Sequence, residues 1–125
     1  SEKIRWIGEV DQAERNRLMS RATCMVHAIT WREPFGLTLI ESMACGCPVV
    51  AFNKGSIPEI VDHGRTGFVV DTLEELIDSV INIDSISRAE CRRYVLDKFS
   101  AEKMTDEYEK VYERILSEQF ITQRV

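Results

Sequence analysis

Two acids, Glu33 and Glu41, stand on either side of Gly36 in the segment Arg32 to Ala51, and no other stretch of the chain offers as much chemistry. Pro34 pushes Glu33 toward an extended backbone, because the residue before a proline is excluded from the α region. Gly36 allows a tight turn and a close approach of ligand to backbone. From Leu37 the apolar residues Leu37, Ile40, Met43 and Ala44 recur at helical spacing. Gly46 suits the left-handed position that ends a helix, and Pro48 cannot prolong it. Glu41 lies four residues after Leu37, on or beside the face to be buried. Helical side chains lean toward the N-terminus, so its carboxylate is expected to point back toward Glu33 and Gly36. The first amides of a helix have no intrahelical partner and sit at the positive end of the macrodipole. Hydroxyl-accepting acids beside anion-binding amides fit a phosphorylated sugar or a nucleotide. The plain alternative makes Glu33 a loop acid and Glu41 an edge acid near an arginine.

The elements that must position these groups read as alternating strands and helices. Ile4 to Ile7 reads as a short strand closed by Gly8. A helix from about Gln12 to Ala22 follows, with Asp11 and Glu14 as its capping pair and Leu18 and Met19 facing inward. Cys24 to Ile29 is nearly all apolar, as in a strand buried on both faces of a parallel sheet. His27 interrupts it, either as a core or strand-end histidine or as a ligand-facing one. Thr30 to Arg32 leave the carboxyl end of that strand, the edge where ligands bind in open α/β sheets. Pro48 to Phe52 is the next strand, and Asn53 to Ser56 the loop after it. Ile57 to Val61 forms a helical turn with Ser56 as its cap and Glu59 stabilising its first turn. Gly64 to Gly67 turns into the strand Phe68 to Val70. Thr72 and Glu75 form a capping box for a helix to about Ile83, and Ser87 and Glu90 repeat that signature for one to about Phe99. Ser100 opens a last helix to roughly Glu118. Its stripe of Met104, Tyr108, Val111, Tyr112 and Ile115 suits core packing, and Phe120 to Val125 should fray.

This order predicts an α/β domain with a parallel, doubly wound sheet of about four strands and C-terminal helices. The 125 residues suffice for one domain with a modest core. With 44% apolar and 30% charged residues the composition is that of a soluble globular chain. A net charge of −5 without a basic stripe argues against nucleic-acid or membrane-surface binding. No secretory leader or spanning apolar run stands out, and Cys24, Cys45, Cys47 and Cys91 make no metal-ligand pattern. Buried reduced thiols in a cytoplasmic protein are the expectation.

Glu33 to Ala51 resembles the signature of retaining glycosyltransferases with two Rossmann-like domains (GT-B), the large family that includes glycogen and sucrose synthases. Its pattern is E-P-F-G-L, three residues, then E-A-M-A-x-G-x-P-V-V-A. The likeness continues through Gly55 to Val61 and Gly64 to Val70, and Ser42 replaces the usual Ala. It runs from about Ile4 to the helices near Ser117. The resemblance implies that residues 1–125 are one piece of the C-terminal, nucleotide-sugar-binding domain. The partners it implies are a nucleotide-diphosphate sugar, an acceptor of unknown nature and an N-terminal domain outside this chain. It implies no metal or other cofactor, a hexosyl transfer with retained anomeric configuration, and no turnover by the fragment alone. Glu33 would be catalytic, reading sugar hydroxyls beside the oxocarbenium-like transition state. Amides of Phe35, Gly36 and Leu37 would hold the sugar, those of Leu37 and Thr38 the leaving diphosphate, and Glu41 would accept from the ribose. The preceding two strands, and the Arg and Lys that the family uses on the diphosphate, would lie upstream. The strand at Ile4 to Ile7 would then have to pair beside Met25 to Ile29 or with another molecule, favouring a homodimer by strand pairing or swapping. A dehydrogenase-like Rossmann protein would carry G-x-G-x-x-G after a strand, and the sequence has none. A non-catalytic binding or assembly module of the same fold is the remaining alternative.

Overall fold

A computed structural model describes residues 2–123. Its elements run α1 (Gln12–Arg21), β1 (Met25–His27), α2 (Leu37–Ala44), β2 (Val49–Phe52), α3 (Ile57–Ile60), β3 (Gly67–Val70), α4 (Leu73–Ile81), a 3-10 turn (Ile83–Ser85), α5 (Arg88–Phe99) and α6 (Ala101–Gln123). The three strands are parallel in the order β1-β2-β3, with Val26 opposite Val50 and Val50 opposite Phe68. The α/β class and the parallel sheet agree with the sequence expectation, with three strands in place of about four. Among the described residues no helix is long and apolar enough to cross a membrane.

The central strand explains the core. Val49, Val50 and Ala51 are fully buried, and Leu39, Met43, Ile57, Val61 and Cys91 close around them. A strand covered on both faces needs this continuous apolar run. α2 packs on α5, and α4 lies against β2 and β3. Two arginines of α5 tie the layers together. Arg88 donates to Ala22 O (2.6 Å) and Ser20 O (2.9 Å) at the end of α1, and Arg92 donates to Ala44 O (2.7 Å) at the end of α2. Cations thereby meet the negative ends of two helix dipoles and satisfy carbonyls that have no intrahelical donor.

Several expectations need correcting. Ile4 to Ile7 forms no strand, and Trp6 is 89% exposed. The segment has no ladder partner among the described residues, because β1, the edge strand, does not take it up. β1 is not buried on both faces: Val26 is 47% exposed. The α6 stripe is no core either, since Met104, Val111, Tyr112 and Ile115 are exposed and Tyr108 is 56% so. That helix packs against α5, and among the described residues its stripe stays exposed. It also continues through Phe120 to Gln123, where fraying was expected, while 124–125 lie outside the described residues.

The caps divide similarly. Thr72 and Glu75 make the full reciprocal box. Asp11 and Ser87 cap α1 and α5 through the amides of Glu14 and Glu90, but the second half of each box is not formed. The Glu14 carboxylate binds Arg17 at 2.6 and 2.7 Å, and Glu90 binds Arg65 and Arg93. Ion pairs outcompete the return bond to the cap. Ser56 does not cap α3 with its side chain; its hydroxyl donates instead to Phe35 O (3.0 Å).

Candidate functional site

The loops leaving the carboxyl ends of β1 and β2 meet at Glu33. Ser56 N donates to Glu33 O (2.9 Å), and the Ser56 hydroxyl holds the next carbonyl but one, at Phe35. Gly55 lies flat against Glu33. A Cβ at position 55 would collide with Glu33 O and come within 2.6 Å of Glu33 N, and φ there is +57°. Such contact with backbone admits only glycine, so the loop after β2 serves as a brace for the loop after β1. The residue pattern of Asn53 to Ser56 reads only as a loop. The one available signal for the brace is Gly55-Ser56, in the loop that follows β2 at the same sheet edge.

The Glu33 side chain turns inward. Its Oε2 lies 3.6 Å from His27 Nε2, with side-chain exposures of 18% and 10%. Nε2 has no hydrogen-bond partner among the described residues. At 3.6 Å the pair is in electrostatic contact without a formed hydrogen bond. Of the two readings left open for His27, it is a buried histidine that faces a site acid.

Gly36 opens α2 in the left-handed conformation (φ +87°, ψ +44°), and no side chain caps the helix. An ordinary N-cap is extended and offers a side-chain oxygen; a left-handed glycine offers neither. The amides of Leu39 and Ile40 find Gly36 O at 3.0 and 3.3 Å. Those of Leu37 and Thr38 have no acceptor among the described residues, and both residues are exposed, Leu37 by 65%. Leu37 therefore does not belong to the inward face, which consists of Leu39, Ser42 and Met43. Phe35 is exposed as well, its carbonyl held by Ser56.

Glu41 is half-buried beside α1, where Arg15 Nη2 donates to its Oε1 at 3.4 Å. Arg15 Nε, buried, has no hydrogen-bond partner among the described residues. The structure thus gathers His27, Glu33, Gly36, Gly55 and Ser56 around an open helix start. It ties Glu41 to α1 through Arg15, with no hydrogen bond or ion pair from the Glu41 side chain to the Glu33 loop among the described residues. Arg15 was missed in the sequence because it sits on α1, 26 residues before its partner.

The thiols stand apart from this edge. Cys91 is fully buried, its Sγ donating to Thr66 O (3.5 Å), and burial, with Cys47 nearby, pushes its thiol up to about 11. Burial and Cys47 also raise Cys24. Neither acts as a nucleophile at neutral pH.

With this geometry in view, residues 1–111 match the family described as "Glycosyl transferases group 1". The chain belongs to that family. Among curated group 1 relatives it is 29% identical, over 92% of its length, to the N-acetyl-alpha-D-glucosaminyl L-malate synthase of Bacillus anthracis, covering 32% of that protein. It is 37% identical, over 66% of its length, to a probable sucrose-phosphate synthase of Thermosipho melanesiensis, covering 20% of it. In fold it is similar to Anabaena HepE, solved with UDP-glucose. The TM-score is 0.68 at 24% identity, over 82% of this chain and 30% of that one. This group 1 chain spans about a third or less of the length of these relatives.

Proposed function

We propose that residues 1–125 are one domain-sized portion of the donor-binding C-terminal domain of a longer, retaining glycosyltransferase. The whole protein moves a hexosyl group from a nucleotide-diphosphate sugar to an acceptor. The observation that carries this reading is the start of α2: two exposed amides without acceptors, an acid braced beside them, and no side-chain cap competing for the position. Glu33 reads sugar hydroxyls and faces the positive charge that develops at the transition state, as the catalytic residue. The amides of Phe35, Gly36 and Leu37 hold the sugar, and those of Leu37 and Thr38, backed by the helix dipole, receive the leaving diphosphate. Glu41 accepts from the ribose hydroxyls, with Arg15 fixing its carboxylate. Charged hydrogen bonds of this kind contribute about 1.5–3 kcal/mol each. HepE, solved with UDP-glucose and also with UDP and glucose, supports a nucleotide-sugar donor.

The preceding portion of the protein supplies the acceptor site and covers the open edge at Val26 and the α6 stripe. In the isolated chain those surfaces favour pairing of two copies, and donor turnover is absent. Four free thiols suit a reducing, cytoplasmic setting.

The test is turnover of a panel of nucleotide sugars by the full-length protein, with analysis of product configuration. One donor should be consumed with retention, and Glu41→Gln should raise its KM. Unchanged kinetics in Glu41→Gln would reject the assigned role. A non-catalytic module of the same fold, favoured by the Arg15–Glu41 pair alone, would turn over no donor at all.

A further inference from the structure

His27 is the last residue of β1, and its imidazole is buried at the edge where Glu33 sits. A buried ring nitrogen without a partner is a standing cost to the fold, because water has been removed and nothing replaces it. Nε2 has such a status, and the polar atom facing it is Glu33 Oε2, 3.6 Å away. The main chain of Glu33 is already fixed from the other side by Gly55 and Ser56. What stays free is the side chain, with three torsions that decide where the carboxylate points. Hydrogen bonds in catalytic sites are often long before ligand is present and tighten in the loaded complex.

We propose that His27 is a positioning residue for Glu33. As the sugar docks, the gap closes, the Nε2–H donates to Oε2, and Oε1 is left aimed at a sugar hydroxyl. No bond is made or broken by His27, and it does not touch the substrate. The proposal rests on the role given to Glu33 above. It also explains why an orphaned histidine interrupts an otherwise apolar strand: the fold keeps a costly group because the neighbouring acid needs it.

The experiment uses the full-length protein and whichever of UDP-glucose, UDP-N-acetylglucosamine, ADP-glucose and GDP-mannose it hydrolyses fastest, water standing in for the acceptor. His27→Leu keeps the bulk and removes the donor; His27→Gln keeps an N–H near the place of Nε2. The Leu variant should lose on the order of 10- to 100-fold in kcat, with KM changed much less. Its melting temperature should be equal to or above that of the natural protein, since the orphan is gone. The Gln variant should recover most of kcat. Wild-type kcat in His27→Leu would overturn the proposal. So would a parallel loss of kcat and melting temperature in both variants, the mark of a packing role. Glu33→Gln separates the two levels: full activity there would remove the role of Glu33 itself, whereas an inactive Glu33→Gln beside an active His27→Leu would remove only that of His27.

Discussion

The start of α2 and the starts of α1, α4, α5 and α6 are built on opposite plans. The four others are closed by side chains: Asp11, Thr72, Ser87 and Ser100 each accept an amide of the first turn. α2 begins on a left-handed glycine with no side-chain cap, and the amides of its exposed first residues, Leu37 and Thr38, have no acceptor among the described residues. Its other end is well satisfied: the Cys45 amide is within reach of carbonyls at Glu41 and Ser42, and Arg92 holds Ala44 O. A helix needing only stability would gain about 1 kcal/mol from a conventional N-cap. α3, one turn long, has no side-chain cap either, but its amides at Ile57 and Glu59 find Lys54 O and Ser56 O. The start of α2 is therefore the one uncapped start among these six that keeps open amides among the described residues; in the function proposed above, a ligand completes it. The loop before α2 is held at Glu33 and Phe35 by the close approach of Gly55 and the hydrogen bonds of Ser56.

The contrast can be broken or sharpened in four ways. Gly55→Ala drives a Cβ into the Glu33 backbone at a positive φ, and should destabilise the full-length protein by about 3–5 kcal/mol in urea titrations. If it melts normally, the brace is not where the contrast originates. Glu33→Gln should lower donor turnover about 10²–10³-fold while leaving the melting temperature within a degree or two, as expected of an electrostatic role and not a structural one. Alkaline pH should act on the closed side of the molecule. The Cys91 thiol titrates near 11 folded against about 9 unfolded, so between these values the folded state binds more protons. Its contribution is intact below pH 9 and lost as pH rises through 11, about 2–3 kcal/mol in all. Urea midpoints of Cys91→Ala and the natural protein over pH 8–11 should therefore converge in slope only if another group dominates; the variant should show the flatter decline. The smallest effect belongs to Thr72→Ala, about 1 kcal/mol of stability with unchanged turnover. A loss of turnover there would blur the line between capped and open starts.

Much of this contrast was legible in the residues. Gly36 before an apolar helical run, Thr72 with Glu75, and the continuous Pro48 to Phe52 run each have one economical structural reading, and the structure adopts it. What escaped had causes outside local sequence. Glu14 and Glu90 left their caps because arginines one turn away or in another element offered charge. Glu41 found Arg15, and Glu33 found His27, across separations that no periodicity encodes. Ile4 to Ile7 has strand composition but no ladder to join, and the α6 stripe has the period of a buried helix but no cover. In both cases the pattern describes a surface meant to be buried and is silent on what buries it.

The central claim is that the first amides of α2 receive the diphosphate of the donor. The most direct measurement follows the backbone amide resonances of the full-length protein as UDP is added. Those of Leu37 and Thr38 should move downfield together and saturate, while the amides of Glu14, Glu75 and Glu90, already held by Asp11, Thr72 and Ser87, stay in place. Saturating shifts elsewhere, with Leu37 and Thr38 unmoved, would contradict the account.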